Sequence, residues 1–223
     1  MTVDRIAHRP ALPVAPIAAP RGAVLLGGAH GSIALARVLA GQGLPVWLIT
    51  DDTPLPQFSR AFTRTLRWPG PRHDTALVFL EQAARDHALT GYLLIPAADS
   101  DVRFVAEAHA QLSQSFSVLL PDWQALRWAV DKGLAYQRAA ELGLAVPASY
   151  AITSLADAET ADLQFPVVLK PTMRLTRNRF TQAKAWRADD HAAFIARYTD
   201  AASLVGAENI VVQELVPGGG DCQ

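Results

Sequence analysis

Between residues 22 and 120, short apolar runs alternate with helical patterns, and this alternation constrains the fold more than any other feature of the chain. Ala23-Val24-Leu25-Leu26 is an apolar run of the buried-strand type. Gly27-Gly28-Ala29-His30-Gly31-Ser32 turns the chain, and Ser32 is placed to cap a helix with Leu35, Val38 and Leu39 on one face. Gly41 and Gly43 stop that helix. Pro45 to Ile49 reads as a second strand, followed by Asp51 and Asp52. Thr63 to Trp68 is a weak third strand, and a helix from Asp74 to His87 aligns Leu77, Leu80 and Ala84. Tyr92 to Ile95 is a fully apolar strand ending at Pro96. Asp101 opens a helix with Val102, Val105, Ala106, His109 and Leu112 at helical spacing, and Phe116 to Leu120 is a further strand. Strands joined through helices specify an open, parallel α/β sheet.

The pattern changes after Pro121. Asp122–Trp128 and Asp131–Leu142 read as two helices, the second stopped by Gly143. Tyr150–Ile152 is a short strand, and Phe165–Pro171 is a strand closed by proline, with Gln182–Trp186 as its hairpin partner. A helix over Asp190–Leu204 places Phe194, Ile195, Tyr198, Ala202 and Val205 on one face. Ile210–Val216 is a last strand before Pro217-Gly218-Gly219-Gly220. The expected organisation is a flexible Pro/Ala-rich lead over 1–21, an α/β domain over 22–121 and an α+β part over 122–223. A glycine turn after an apolar strand normally leads to a partner strand, and an unpaired edge is a liability, so either the chain is a fragment or another segment completes the sheet.

Charge and composition remove several classes. The 20 Lys and Arg nearly balance the 21 Asp and Glu, which argues against a nucleic-acid binder. The single cysteine, Cys222, excludes an internal disulfide framework and a Cys-based zinc site. No apolar run reaches the length of a membrane span, and the first 20 residues lack the apolar core of a secretion signal. A cytoplasmic location is the default expectation.

Several residues carry candidate chemistry. Lys170 ends an apolar strand and precedes Pro171, so its stem is packed while its ammonium is available to a phosphate. A solvated strand-end lysine is the plain reading of the same pattern. Lys132 follows Asp131 at a helix start, where a surface lysine is common. The stretch from Lys170 to Lys184 holds Arg174, Arg177 and Arg179 and no acid, which suits an anion site or a solvated loop. The turn at Gly27, Gly28 and Gly31 lacks the full dinucleotide glycine spacing. Asp99 and Asp101 follow the strand Tyr92–Ile95 at the carboxyl edge, where open α/β sheets bind ligands, and Ser100 or Asp101 also suits a helix cap. The six histidines show no metal-ligand spacing.

Taken in order, Asp131-Lys132-Gly133, Val146-Pro147, Phe165 to Pro171, Lys184 to Asp190 and Val211 to Gly219 resemble the ATP-grasp superfamily. The likeness is greatest to its predicted ATP-dependent carboligases, the carboxylate–amine ligase-like proteins, with residues 22–120 similar to the Rossmann-like pre-ATP-grasp domain. The resemblance implies that Lys132 and Lys170 contact ATP phosphates. It implies that Gln213, Glu214, Leu215 and Val216 line the adenine, with a polar side chain at Gln213 or Glu214 reading its edge, and that Asp221 or Gly220 lies near the ribose. Residues 173–181 correspond to the mobile phosphate loop; they contain no glycine, so Arg174, Arg177, Arg179 and the nearby Lys184 stand in as phosphate ligands. Gly28, His30, Asp99 and Asp101 fall on the substrate side.

The resemblance also implies the chemistry. A substrate carboxylate attacks the γ-phosphate, and an amine or another nucleophile then displaces phosphate from the acylphosphate. ATP and Mg2+ (or Mn2+) are the implied cofactors, a homodimer is allowed, and nucleic acid and membrane are not implied partners. The family's metal-binding carboxylates and asparagine lie on strands beyond the hinge, so none is assigned within this chain and the chain alone is expected to be inactive. Two readings from other classes stay open: an NAD(P)-binding oxidoreductase, resting on the Gly27–Gly31 turn and Asp51, and a non-catalytic α/β interaction module.

Overall fold

The computed structural model describes residues 20–28, 30–51 and 58–216. Two sheets organise them. The first is formed by β1 (Ala23–Leu26), β2 (Val46–Thr50), β3 (Arg64–Arg67), β4 (Leu93–Pro96) and β5 (Ser117–Val118) in the order β3-β2-β1-β4-β5. All four pairings are parallel. The strand order reverses between β1 and β4, and in open α/β sheets a crevice opens at that point beyond the carboxyl ends.

β1 and β2 are buried on both faces, which is why they read as unbroken apolar runs rather than alternating ones. On one side Leu25, Val46 and Leu48 pack with Leu35 and Leu39 of α1 (His30–Gly41). On the other, Val24, Leu26 and Ile49 pack with Leu80 and Ala84 of α2 (Ala76–Asp86) and with Val105 of α3 (Asp99–Glu107). Each fully buried Leu or Ile contributes roughly 1.5–3 kcal/mol relative to exposure.

Local details differ from the sequence reading. Ser32 lies inside α1 rather than at its cap, and its hydroxyl donates to the Gly27 carbonyl at 3.0 Å. Val38 is exposed, so the packed face of α1 is Leu35, Ala36, Leu39 and Ala40. The expected single helix from Asp101 begins two residues earlier and divides at Ala108 into α3 and α4 (His109–Leu112). Ala98 is its N-cap, so neither Ser100 nor Asp101 caps it; Asp101 is buried in the first helical turn instead.

The linking helices follow their caps. Asp122 accepts from the Ala125 amide to start α5 (Trp123–Val130), and Asp131 accepts from the Leu134 amide to start α6 (Lys132–Glu141). At Gly133 an added Cβ would approach Asp131 Oδ1 tightly, at 3.2 Å, and meet Val211 in ordinary contact at 3.9 Å.

The second sheet has the order β6-β9-β7-β8, all antiparallel, from β6 (Ser149–Tyr150), β7 (Val167–Pro171), β8 (Trp186–Ala188) and β9 (Ile210–Glu214). Its inner face, Val167, Leu169, Ile210 and Val212, packs on Phe194, Tyr198 and Ala201 of α9 (His191–Val205). Three expectations change here. Residues 155–160, with no element assigned from sequence, form α7 (Leu155–Thr160), capped by Ser154 through the Asp157 amide. The hairpin partner of β7 is Trp186–Ala188 rather than Gln182–Trp186, because residues 179–183 coil into α8 (Arg179–Ala183). Finally, the edge reading of β9 gives way to its alternative: β6 and β7 flank it, so other segments of the chain complete the sheet there.

Candidate active site

Successive side chains of a strand point to opposite faces, so burial of Val167, Leu169, Ile210 and Val212 against α9 sends Val168, Lys170, Val211 and Gln213 to the other face. Ser149 pairs with Gln213 in the ladder and shares that face. Lys170 Nζ donates to Gln213 Oε1 at 3.3 Å, and Gln213 Nε2 donates to Ser149 Oγ at 2.9 Å. Gln213 is fully buried while Lys170 is half-buried.

The first turn of α6 brings Lys132 to the same end of the sheet. The Thr172 carbonyl, just beyond β7, accepts from both the Lys132 amide and Lys132 Nζ at 3.2 Å. Burial pushes the Lys132 ammonium below its ordinary value of 10.5. Asp99 opposes that shift, Arg174 adds to it, and Asp131 and Lys170 act as further opposing and reinforcing charges. The bond to Thr172 ties Lys132 to the β7 end between Lys170 and Arg174, each two residues from Thr172 in the chain. Arg174 Nε lies 3.4 Å from Asp99 Oδ2, linking the loop after β7 to the helix after β4. Three cations meet two carboxylates there, and Asp131 already serves as a cap, so the cluster retains positive charge for an anion.

Asp99 and Asp101 open α3 beyond the carboxyl end of β4, beside the strand-order reversal. Asp101 is 4% exposed and lies against the turn after β1. Gly27 has φ +90°, and a Cβ there would overlap Asp101 Oδ2. Gly28 is buried in the same turn. His30 begins α1, and its side chain lies outside the described residues.

Other expected site residues are not gathered at this place. Arg179 is paired with Asp200 of α9, and Arg177 and Lys184 are exposed; the neighbouring Arg187, outside that set, pairs with Asp189. The loop 173–181 is less bare than its charge suggests, because Met173, Phe180 and Thr181 are buried and Asn178 and Thr181 form a capping box for α8. On β9 and beyond, Glu214 Oε1 accepts from the Ala148 amide at 2.9 Å, the Glu214 and Leu215 amides donate to Ala148 and Pro166, and Val216 is exposed. Asp221, the glycines from 218, Cys222, Asp52 and the lead through residue 19 lie outside the described residues.

Sequence reading missed Thr172 and Ser149. Thr172 acts through its carbonyl, which has no side-chain signature, and Ser149 is identified only by the ladder partner it meets. A cleft of about 350 Å3 also adjoins the cluster through Asp131 and Thr172, lined further by Arg72, Arg103, Trp123 and Leu175. Among the described residues, no three His, Cys, Asp or Glu side chains are grouped to hold a metal ion, and no helix is long and apolar enough to cross a membrane.

The fold has close counterparts among solved structures. L-amino acid ligase from Bacillus licheniformis superposes with a TM-score of 0.69 at 17% identity, over 89% of this chain and 47% of that one. The biotin carboxylase domain of 2-oxoglutarate carboxylase from Hydrogenobacter thermophilus, solved with MgADP and bicarbonate, gives 0.62 at 12% identity over 89% and 45%. N5-carboxyaminoimidazole ribonucleotide synthetase from Thermus thermophilus gives 0.58 at 16% identity over 87% and 47%. These neighbours are ATP-grasp ligases, and this chain shares their fold. The chain spans about half the length of these ATP-grasp structures. No family model matches the chain, and no curated protein sequence does.

Proposed function

We propose that this chain holds the nucleotide phosphates of an ATP-dependent ligase that joins a carboxylate to an amine, or to another nucleophile, through an acylphosphate. The observation that carries the reading is the convergence of Lys132, Lys170 and Arg174 beside β9 within an ATP-grasp fold. The two lysines, each held by a neutral oxygen, offer full positive charge to phosphate oxygens. Their part in the reaction is to orient the nucleotide and to neutralise charge that builds as the carboxylate attacks, releasing ADP.

On the hinge, the Glu214 and Leu215 amides are engaged within the fold, which leaves the Val216 amide as the backbone donor for an adenine edge. Asp99, Asp101, Gly28 and the His30 position face the substrate side, at the carboxyl edge of the parallel sheet. The proposed division is a pre-ATP-grasp domain over 22–121 and part of an ATP-grasp domain over 122–223, acting in the cytoplasm. A homodimer is compatible with this reading.

The described residues group no metal-ligand set and so do not fit a resident Mg2+ or Mn2+. The chain by itself is accordingly expected to bind nucleotide without turning it over. Calorimetric titration with ATP and, separately, with NAD tests the reading. ATP binding that is lost in Lys170→Ala supports it; binding of NAD but not ATP would reject it in favour of a dinucleotide site at the Gly27 turn.

A further inference from the structure

Resting on the nucleotide reading above, we infer that Gln213 is a positioning residue that aims the Lys170 ammonium at phosphate and does not itself read the adenine. Gln213 has 0% exposure on β9, and both ends of its amide are committed. Its Oε1 accepts from Lys170 Nζ at 3.3 Å, and its Nε2 donates to Ser149 Oγ at 2.9 Å. The amide orientation follows from chemistry, because a lysine ammonium has only donors and must face the oxygen. Ser149 is held in turn, its hydroxyl directed to the Pro147 carbonyl at 3.3 Å.

The ladder explains why this pair meets. Gln213 stands opposite Val168 and Val211 opposite Lys170, so Lys170 and Gln213 are diagonal neighbours on one face of the β7–β9 pair. A lysine carries three donors on a flexible stem and loses rotamer entropy when fixed. A buried, pre-ordered acceptor removes much of that freedom before a ligand arrives. The acceptor is also neutral. A glutamate in its place would hold the ammonium as an ion pair and cancel the charge that a phosphate needs, whereas an amide oxygen directs the ammonium and leaves its full charge available. With its oxygen on Lys170 and its nitrogen on Ser149, the Gln213 side chain has no exposed edge to offer a base.

The test compares ATP with adenosine, which shares the base and lacks the phosphates. Affinities for both are measured by calorimetry or ligand-observed NMR for the chain and for Gln213→Met, a change of similar volume that removes the acceptor. The expected result is ATP binding weakened about tenfold with adenosine affinity unchanged within about twofold, and no further loss of ATP when Gln213→Met is added to Lys170→Ala. Gln213→Glu should weaken ATP at least as much, again sparing adenosine. If Gln213→Met does not fold, Ser149→Ala, which frees the amide to rotate, should show the same split at smaller amplitude. Equal weakening of ATP and adenosine would mean that Gln213 reads the base and would overturn the inference. So would unchanged ATP affinity, or a loss that persists without Lys170. A parent chain that binds neither ligand would reject the nucleotide reading itself, a result distinct from all of these.

Discussion

Arg174 on the loop after β7 and Asp99 at the start of α3 meet across the two sheets, with Nε 3.4 Å from Oδ2. Both side chains remain partly exposed, at 47% and 39%, so the pair contributes little to stability, about 1 kcal/mol or less. Its interest lies in charge. Asp99 is the carboxylate that most opposes the lowering of the Lys132 pKa, so it occupies the field into which a phosphate would enter. Asp99→Asn should tighten ATP binding about two- to tenfold while leaving the melting temperature nearly unchanged. Weaker binding in that variant would show that Asp99 assists the nucleotide rather than competing with it.

On the proposed reading, Lys132 should make nucleotide binding pH-dependent. Its folded-state value lies below 10.5, chiefly because burial disfavours the charged form. Between the folded value and 10.5 the unfolded chain binds more protons, so this group's contribution to stability rises with pH through that window. Phosphate binding runs the other way, since it needs the protonated amine. ATP affinity should therefore decline with rising pH at a point below 10.5, and Lys132→Arg should move the decline upward, because a guanidinium stays charged. Titrations across alkaline pH that superpose for the two proteins would remove Lys132 from the phosphate site.

Lys170 and the exposed cations of the same stretch should separate cleanly. Lys170→Ala removes a charge held by a buried acceptor, and a charge-assisted bond to phosphate is worth roughly 1.5–3 kcal/mol, about 10- to 150-fold in affinity. Lys184 is exposed and Arg187 is occupied by Asp189, so their alanine variants should change ATP affinity less than about threefold. Equal losses at all three positions would indicate diffuse attraction rather than a built site.

The turn after β1 offers a stability test free of any functional assumption. Gly27→Ala imposes a side chain at φ +90° and drives its Cβ into the Asp101 carboxylate, so it should cost roughly 1–3 kcal/mol or more. Gly31 lies in α1 with no atom within 4 Å of an added Cβ, and Gly31→Ala should be neutral or stabilise by up to about 1 kcal/mol. Denaturant melts of the two variants check the contrast, which fails if both shift alike.

The parallel sheet was legible in the sequence because burial on both faces leaves β1 and β2 as apolar runs bounded by turn residues, and the partly buried β4 reads alike. The helix starts at Asp122, Asp131 and Asp190 were legible too, and in the structure each of these aspartates caps its helix by bonding an amide three residues away. Lys170 stood out by its strand-end place before Pro171, and Lys132 only within an ordered set of motifs. What joined them to Arg174 and Asp99 was the packing of separate elements, since Asp99 and Arg174 stand 75 positions apart in the chain. Tertiary structure alone decided that Arg179 turns to Asp200 rather than to the other cations, that Phe180 buries a loop whose charge suggested exposure, and that β9 runs between two partners. It also decided that Gln213 faces Lys170, because a side chain's partner across a ladder depends on register, and register is set by which face of each strand packs on α9.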